Sequence, residues 1–155
     1  MIYDIHMKNF IEGEIKYFKW QDARVKRYFV ISVIYRYYLL EQQPTIQEII
    51  DVYDPHENEL KLIEFFFKTK SQLEKMIYPF LKNSWNWNSM LPILKSIIVY
   101  SILEIKLFKR HQIVISEALE ISKSLLTEKE AKFVNAILDS FVKASETYVK
   151  QKSYS

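Results

Sequence analysis

This chain predicts an all-α fold, and three observations lead there. Apolar residues recur at three-and-four spacing over several long stretches, the period of one helix face. Those stretches are separated by short breaks carrying proline or helix-capping signals. The 155 residues hold one glycine, Gly13, so the Asn-Gly hairpin turns that join antiparallel strands are missing.

The elements follow in order. Residues 1–21 are aromatic without a steady period and read as an extension. Asp22 opens a helix running to about Glu41, with Phe29, Val30, Val33, Ile34, Tyr37 and Leu40 on one face and Pro44 ending it. Thr45-x-x-Glu48 has capping-box form and opens a short helix, TIQEIIDVY, closed by Asp54 and Pro55. A long helix is expected from about Glu59 to Leu81, carrying Leu62, Phe65, Phe66, Leu73, Met76, Ile77 and Phe80. The stretch NSWNWNS, residues 83–89, is polar, turn-prone and holds two tryptophans. A helix from about Met90 to Phe108 follows, with Pro92 in its first turn, where a missing N–H costs little. KRHQ connects it to a helix from about Ile113 to Leu125. Thr127-x-x-Glu130 is a second capping box, starting a last helix that reaches about Val149. The loop divides the domain, 22–155, into an N-terminal helical subdomain, 22–82, and a C-terminal one, 85–150. The tryptophans are placed to join the two.

Composition excludes several functions. One glycine rules out a GxGxxG fingerprint and a P-loop, which need several positions without a side chain. The absence of cysteine rules out disulfides, thiolate zinc sites and a cysteine nucleophile. His6, His56 and His111 stand at no metal-ligand spacing, so neither metal nor cofactor is expected. The apolar runs 28–40 and 91–103 are cut by Arg36 and Lys95 and fall short of the ~18–20 residues of a membrane span. MIYDIHMKNF lacks the apolar core of a secretory signal, and a cytoplasmic location is expected. The net charge is +3, unevenly spread. Lys16, Lys19, Arg24, Lys26, Arg27 and Arg36 face one acid, Asp22, whereas Glu48, Asp51, Asp54, Glu57, Glu59 and Glu64 face one base, Lys61. This asymmetry suits an anionic partner at the basic end.

Four segments in matching order resemble the NusB family of bacterial antitermination factors. KFVNAILD, residues 132–139, resembles its Lys-Phe-Val-Asn-Gly signature, and ISEALEISK, 115–123, its Ile-Asn-Glu-Ala segment. Trp85 precedes Glu104 by 19 residues, around a helix with Met90, Ile93, Ile97, Ile98 and Ile102 at the family's aliphatic positions. Arg24-x-x-Arg27 with Ile34-Tyr35 resembles the Arg-rich opening and its Leu-Tyr pair. The departures are Ala136 for glycine, Ser116 for asparagine, Leu103 for tyrosine, and Ser89 and Lys95 where arginines are usual. They bear on RNA affinity more than on fold. The resemblance covers roughly residues 22–143 and implies a NusB-like helical bundle of two small subdomains. It further implies pairing with NusE, a small-subunit ribosomal protein. Together the two bind boxA-like single-stranded RNA within the RNA polymerase antitermination complex, chiefly on ribosomal RNA operons.

The expected RNA-contacting residues are Arg24, Lys26, Arg27, Lys132, Phe133 and Asn135. The first three sit in the opening turns of a helix, where positive charge opposes the macrodipole at about 0.3–1 kcal/mol each. Arginine pairs bidentately with phosphate oxygens, while a solvated helix end is the ordinary alternative. Phe133, at the edge of the stripe Val134–Ile137–Leu138–Phe141–Val142, suits either a core position or a base-stacking platform. Lys132 would add charge, and Asn135 could read a base edge. Glu104 and Glu117, acids on otherwise apolar faces, are expected to bond to backbone or basic groups between helices, and Tyr35 to sit in the core. No reaction is expected: a NusB-like domain precedes the catalytic domain of some ribosomal RNA methyltransferases, but no glycine-rich cofactor loop is present. A helical protein-interaction module that has lost RNA contact is the rival reading.

Overall fold

The computed structural model describes residues 23–82 and 85–154. The expected extension 1–21, the expected helix start Asp22, and residues 83 and 84 of the tryptophan loop lie outside them. The described residues form six α-helices and two short 3-10 turns, with no strand among them. The helices are α1 (Ala23–Leu40), α2 (Ile46–Tyr53), α3 (Glu57–Ile77), α4 (Pro92–Phe108), α5 (His111–Leu125) and α6 (Glu128–Tyr154).

Two helices are apolar nearly all round and are accordingly buried nearly all round. In α1 every residue from Arg27 to Tyr35 is buried. In α4 the same holds from Ser96 to Ile105. The two lie against each other, with α3 packing on both, α5 and α6 on α4, and α6 along α5. One continuous apolar core runs through helices on both sides of the tryptophan loop. Its largest fully buried side chains include Tyr35, Phe29, Phe66, Leu73 and Ile97. The stripe expected on α1 is therefore part of a wider buried surface, and its last member, Leu40, is exposed.

Local chemistry explains the boundaries. Both capping boxes form. Thr45 Oγ1 accepts from the Glu48 N–H at 3.1 Å while Glu48 accepts from the Thr45 N–H at 3.4 Å. Thr127 and Glu130 repeat the exchange at 3.2 and 3.0 Å. Each satisfies donors a helix start leaves orphaned. Glu41, Asp54 and Lys109 take left-handed backbone conformations directly after α1, α2 and α4, a geometry usually given to glycine, which this chain scarcely uses. Lys109 turns the chain so sharply that α5 begins at His111, two residues before the expected start. The long helix expected to Leu81 changes at Tyr78 into a 3-10 turn, Tyr78–Phe80. Pro79 has no N–H to continue the α ladder.

The two tryptophans of the loop part ways. Trp87 is buried and meets Tyr38 of α1 edge-on at 6.1 Å and Tyr78 at 6.3 Å. Lys95 of α4 lies over both Tyr38 and Trp87, and burial lowers its pKa from the ordinary value. Trp85 is half-buried and stacks on Phe133 of α6. The loop thus ties α1 through one indole and α6 through the other. Ile97, fully buried at the centre of α4, should be the more costly position to truncate. Urea unfolding is expected to show a loss of about 2–5 kcal/mol for Ile97→Ala, against about 1 kcal/mol for the exposed cap variant Thr127→Ala.

Candidate nucleic-acid interface

The opening turns of α1 present three cations, and the structure uses them differently. Arg24 is on the outer side, its side chain 47% exposed. It donates through Nε and Nη2 to the two carboxylate oxygens of Glu117 in α5, at 2.9 and 3.1 Å. Hydrogen bonding to Glu117 raises its pKa from the ordinary value. Arg27, one turn on, is buried. Its Nε and Nη2 donate to Glu104 of α4 at 3.1 and 2.9 Å, and Nη1 stands 3.8 Å from Glu117. Burial opposes its charge, but the hydrogen bonds and field of Glu104 outweigh burial and raise its pKa. Glu104 also accepts from the Tyr100 hydroxyl at 2.6 Å. Burial, then Glu104, pushes the Tyr100 phenol well above its ordinary range.

These residues form a line: Arg24, Glu117, Arg27, Glu104, Tyr100. It stitches α1 to α4 and α5 through two bidentate forks. Glu104 and Glu117 therefore bond to basic groups between helices, as their sequence context suggests, and Tyr35 is fully buried in the core. For Arg27 the placement departs from a phosphate-facing role, because its guanidinium lies inside the seam with its fork turned to Glu104. Lys26, the third, is half-buried and lines a cleft with Arg27, Glu104 and Tyr100 of this seam and with Asn58, Glu59 and Leu62 of α3.

The α6 residues occupy a second place. Lys132 is exposed and pairs with Glu128 one turn earlier, at 3.3 Å. Such a pair contributes only about 0.3–0.5 kcal/mol, so Lys132 can exchange it for another anion at little cost. Phe133 is half-buried, its ring stacked on Trp85 with centroids 4.1 Å apart and planes 17° from parallel. Lys129, on the same side of α6, reaches over the same indole at 6.0 Å. Asn135 is half-buried on the next turn. The expected stacking platform is therefore a two-ring stack, and Trp85 is its second member. Sequence reasoning missed this pairing because the two aromatics are 48 positions apart and no local period relates them. The structure thus joins Arg24 and Arg27 through Glu117, and sets Lys132, Phe133 and Asn135 on a different helix.

Among the described residues no three His, Asp or Glu side chains gather as a metal site, and no helix is long and apolar enough to cross a membrane. What the surface offers is fixed positive charge, a stacked aromatic pair and amide groups, a set suited to holding an anionic polymer with exposed ring faces.

Fold and seam together define a class: an all-helical bundle whose first helix is locked to its centre by buried arginine–glutamate forks. Comparison with known proteins identifies the family. The model of the NusB family matches residues 24–143, and the chain belongs to the NusB family. It is 38% identical over 79 residues to the transcription antitermination protein NusB of Methylacidiphilum infernorum, covering 49% of this chain and 54% of the relative. It is 36% identical over 86 residues to the protein of that name from Thermodesulfovibrio yellowstonii, covering 54% of this chain and 56% of the relative. The matched stretch spans about half the length of each.

Removing one partner from the buried fork should be far more damaging than removing the exposed one. Glu104→Ala strands Arg27 and is expected to cost about 3–5 kcal/mol in urea unfolding, whereas Arg24→Ala should cost under about 1 kcal/mol. The Tyr100 proton gives a pH signature. Its pKa is raised in the folded state above the ordinary 10.0, and so is that of Tyr38, by burial and Glu74. Their contribution is complete below about pH 10 and is lost as pH rises beyond it, because only the unfolded chain then releases the protons. The melting temperature is expected to fall above about pH 10, with a shallower fall in Tyr100→Phe.

Proposed function

We propose that this chain is a regulatory, non-catalytic transcription antitermination factor. In this reading it binds boxA-like single-stranded RNA together with the ribosomal protein NusE and promotes read-through by RNA polymerase, chiefly in ribosomal RNA operons. The observation that carries the proposal is the family match over residues 24–143, with relatives named as antitermination proteins. The surface chemistry supports it. Lys26 and Lys132 supply charge to phosphate, and the Phe133–Trp85 stack supplies an aromatic body against which an unpaired base can lie. Asn135 offers an amide to a base edge. Arg24 keeps a half-exposed guanidinium at the surface, while Arg27 contributes by holding α1 in register beneath it.

One observation favours the rival, a helical protein-interaction module without RNA contact. Both opening arginines are engaged by Glu117 and Glu104, which thins the charge available to phosphate.

The two readings separate in a titration. A labelled boxA-type RNA, followed by fluorescence anisotropy with and without NusE at two salt concentrations, should bind more tightly with NusE present. Binding should weaken as salt rises, with log K falling by about 0.7 per phosphate contact per decade of salt. Lys26→Ala and Lys132→Ala are each expected to reduce that slope by about one contact's worth, roughly 0.7. Phe133→Ala should weaken binding by about 1–3 kcal/mol with little change in slope. Absence of binding under all these conditions would leave the family assignment standing and favour the protein-only module.

A further inference from the structure

A cleft of about 180 Å³ opens between the start of α1, the first turn of α3 and the end of α4. Lys26, Asn58, Glu59, Tyr100, Phe108 and Arg110 are among its lining residues. Two buried carboxyl groups border it, and they are treated unequally. Glu104 accepts from Arg27 twice and from Tyr100 once. Glu59 is only 4% exposed, yet its buried Oε2 has no hydrogen-bond partner among the described residues. A buried acceptor left unpaired is costly, and more so if charged, so the fold keeps an acceptor here that no described residue uses. The terminal torsion of glutamate is soft, and Glu59 is one of the residues that line the cleft.

The rim has the opposite character. Lys26 and Arg110 bring positive charge, and Phe108 is 40% exposed with the Arg110 guanidinium 5.6 Å from its ring centre. A cationic side chain of a partner would be repelled by Lys26, Arg27 and Arg110, which share the lining with Glu59. A ligand that is anionic at one end and donates hydrogen bonds at the other satisfies both parts. A space of 180 Å³ exceeds several waters at about 30 Å³ each and lies below the roughly 300 Å³ where sites for larger ligands begin. It accepts one planar ring system, with sugar and phosphate left at the rim.

We propose that this cleft binds a guanine base, its Watson–Crick edge on Glu59, its ring against Phe108 and its phosphate facing Lys26 and Arg110. Guanine presents two adjacent donors, N1–H and N2–H, to the two oxygens of a carboxylate. Adenine and cytosine present one donor beside an acceptor, and uracil sets its one donor between two carbonyl oxygens that a carboxylate repels. In RNA such a base would be unpaired and turned out of the chain. The RNA source of the base rests on the function proposed above; a free guanine nucleotide carries the same chemistry.

The test has two arms on the full chain. Guanosine 5′-monophosphate, inosine 5′-monophosphate, which lacks the N2 amine, and adenosine 5′-monophosphate are each titrated and followed by NMR. In parallel, single-stranded RNAs differing only by guanine-to-adenine changes are titrated by anisotropy. The guanine ligand is expected to bind about tenfold more tightly than the others, the scale of one good bidentate base contact. Glu59→Gln should abolish that preference. Phe108→Ala, at an exposed position, should weaken binding of every base and serves as the second variant if Glu59→Gln does not fold. RNA binding that is salt-sensitive but indifferent to guanine and to Glu59→Gln overturns this proposal and leaves the RNA function intact. Selective binding of the free nucleotide without any RNA binding upholds the cleft and overturns the RNA function. No base preference in either arm overturns the cleft assignment.

Discussion

The buried fork between Arg27 and Glu104 is the constraint on which the rest of the molecule depends. Two ionised groups are held almost entirely away from water, at 2.9 and 3.1 Å. Each alone would carry a desolvation penalty of several kcal/mol, which only good geometry and further hydrogen bonds offset. Tyr100 supplies one such bond and Glu117 a longer ionic contact. A fork of this kind tolerates one relative placement of α1 and α4. Apolar packing between these helices supplies the larger driving force and, being close-packed, itself resists a shift. A shift would in addition leave two buried charges unpaired. Seam and core together therefore fix the register.

That register decides what reaches the surface. With Arg27 tied to Glu104 and Arg24 tethered to Glu117, Lys26 is left lining the cleft that also holds Arg27, Glu104 and Glu59. Phe133 follows the same logic on α6: the buried stripe of Val134, Ile137 and Leu138 leaves it at the boundary, where Trp85 covers one region of it. The candidate nucleic-acid surface is thus assembled from groups that the core leaves at its margins. Their positions are inherited from the packing and need no strained backbone to hold them.

Much of this was legible in the chain. The spacing of apolar residues, Pro44, Pro55 and Pro92, and the Thr45–Glu48 and Thr127–Glu130 pairs are local signals, and a helix start or stop depends on atoms within a few residues. The segments KFVNAILD and ISEALEISK, with Arg24-x-x-Arg27, placed the chain in its family. The polarity of Glu104 and Glu117 on apolar faces announced that each needed a partner, without saying which.

What the sequence by itself determined was the set of helices, their approximate ends and their apolar faces, because those depend on backbone hydrogen bonding and side-chain period within single segments. Only the tertiary structure decided that Arg27 is an internal tie and Lys26 a half-buried group lining the cleft beside it, that Trp87 enters the core while Trp85 stacks on Phe133, and that one oxygen of Glu59 meets no partner among the described residues. Neighbours on one segment carry the same charge or ring and differ only in direction. Direction acquires meaning when helices distant in sequence pack together and fix which side of each is desolvated.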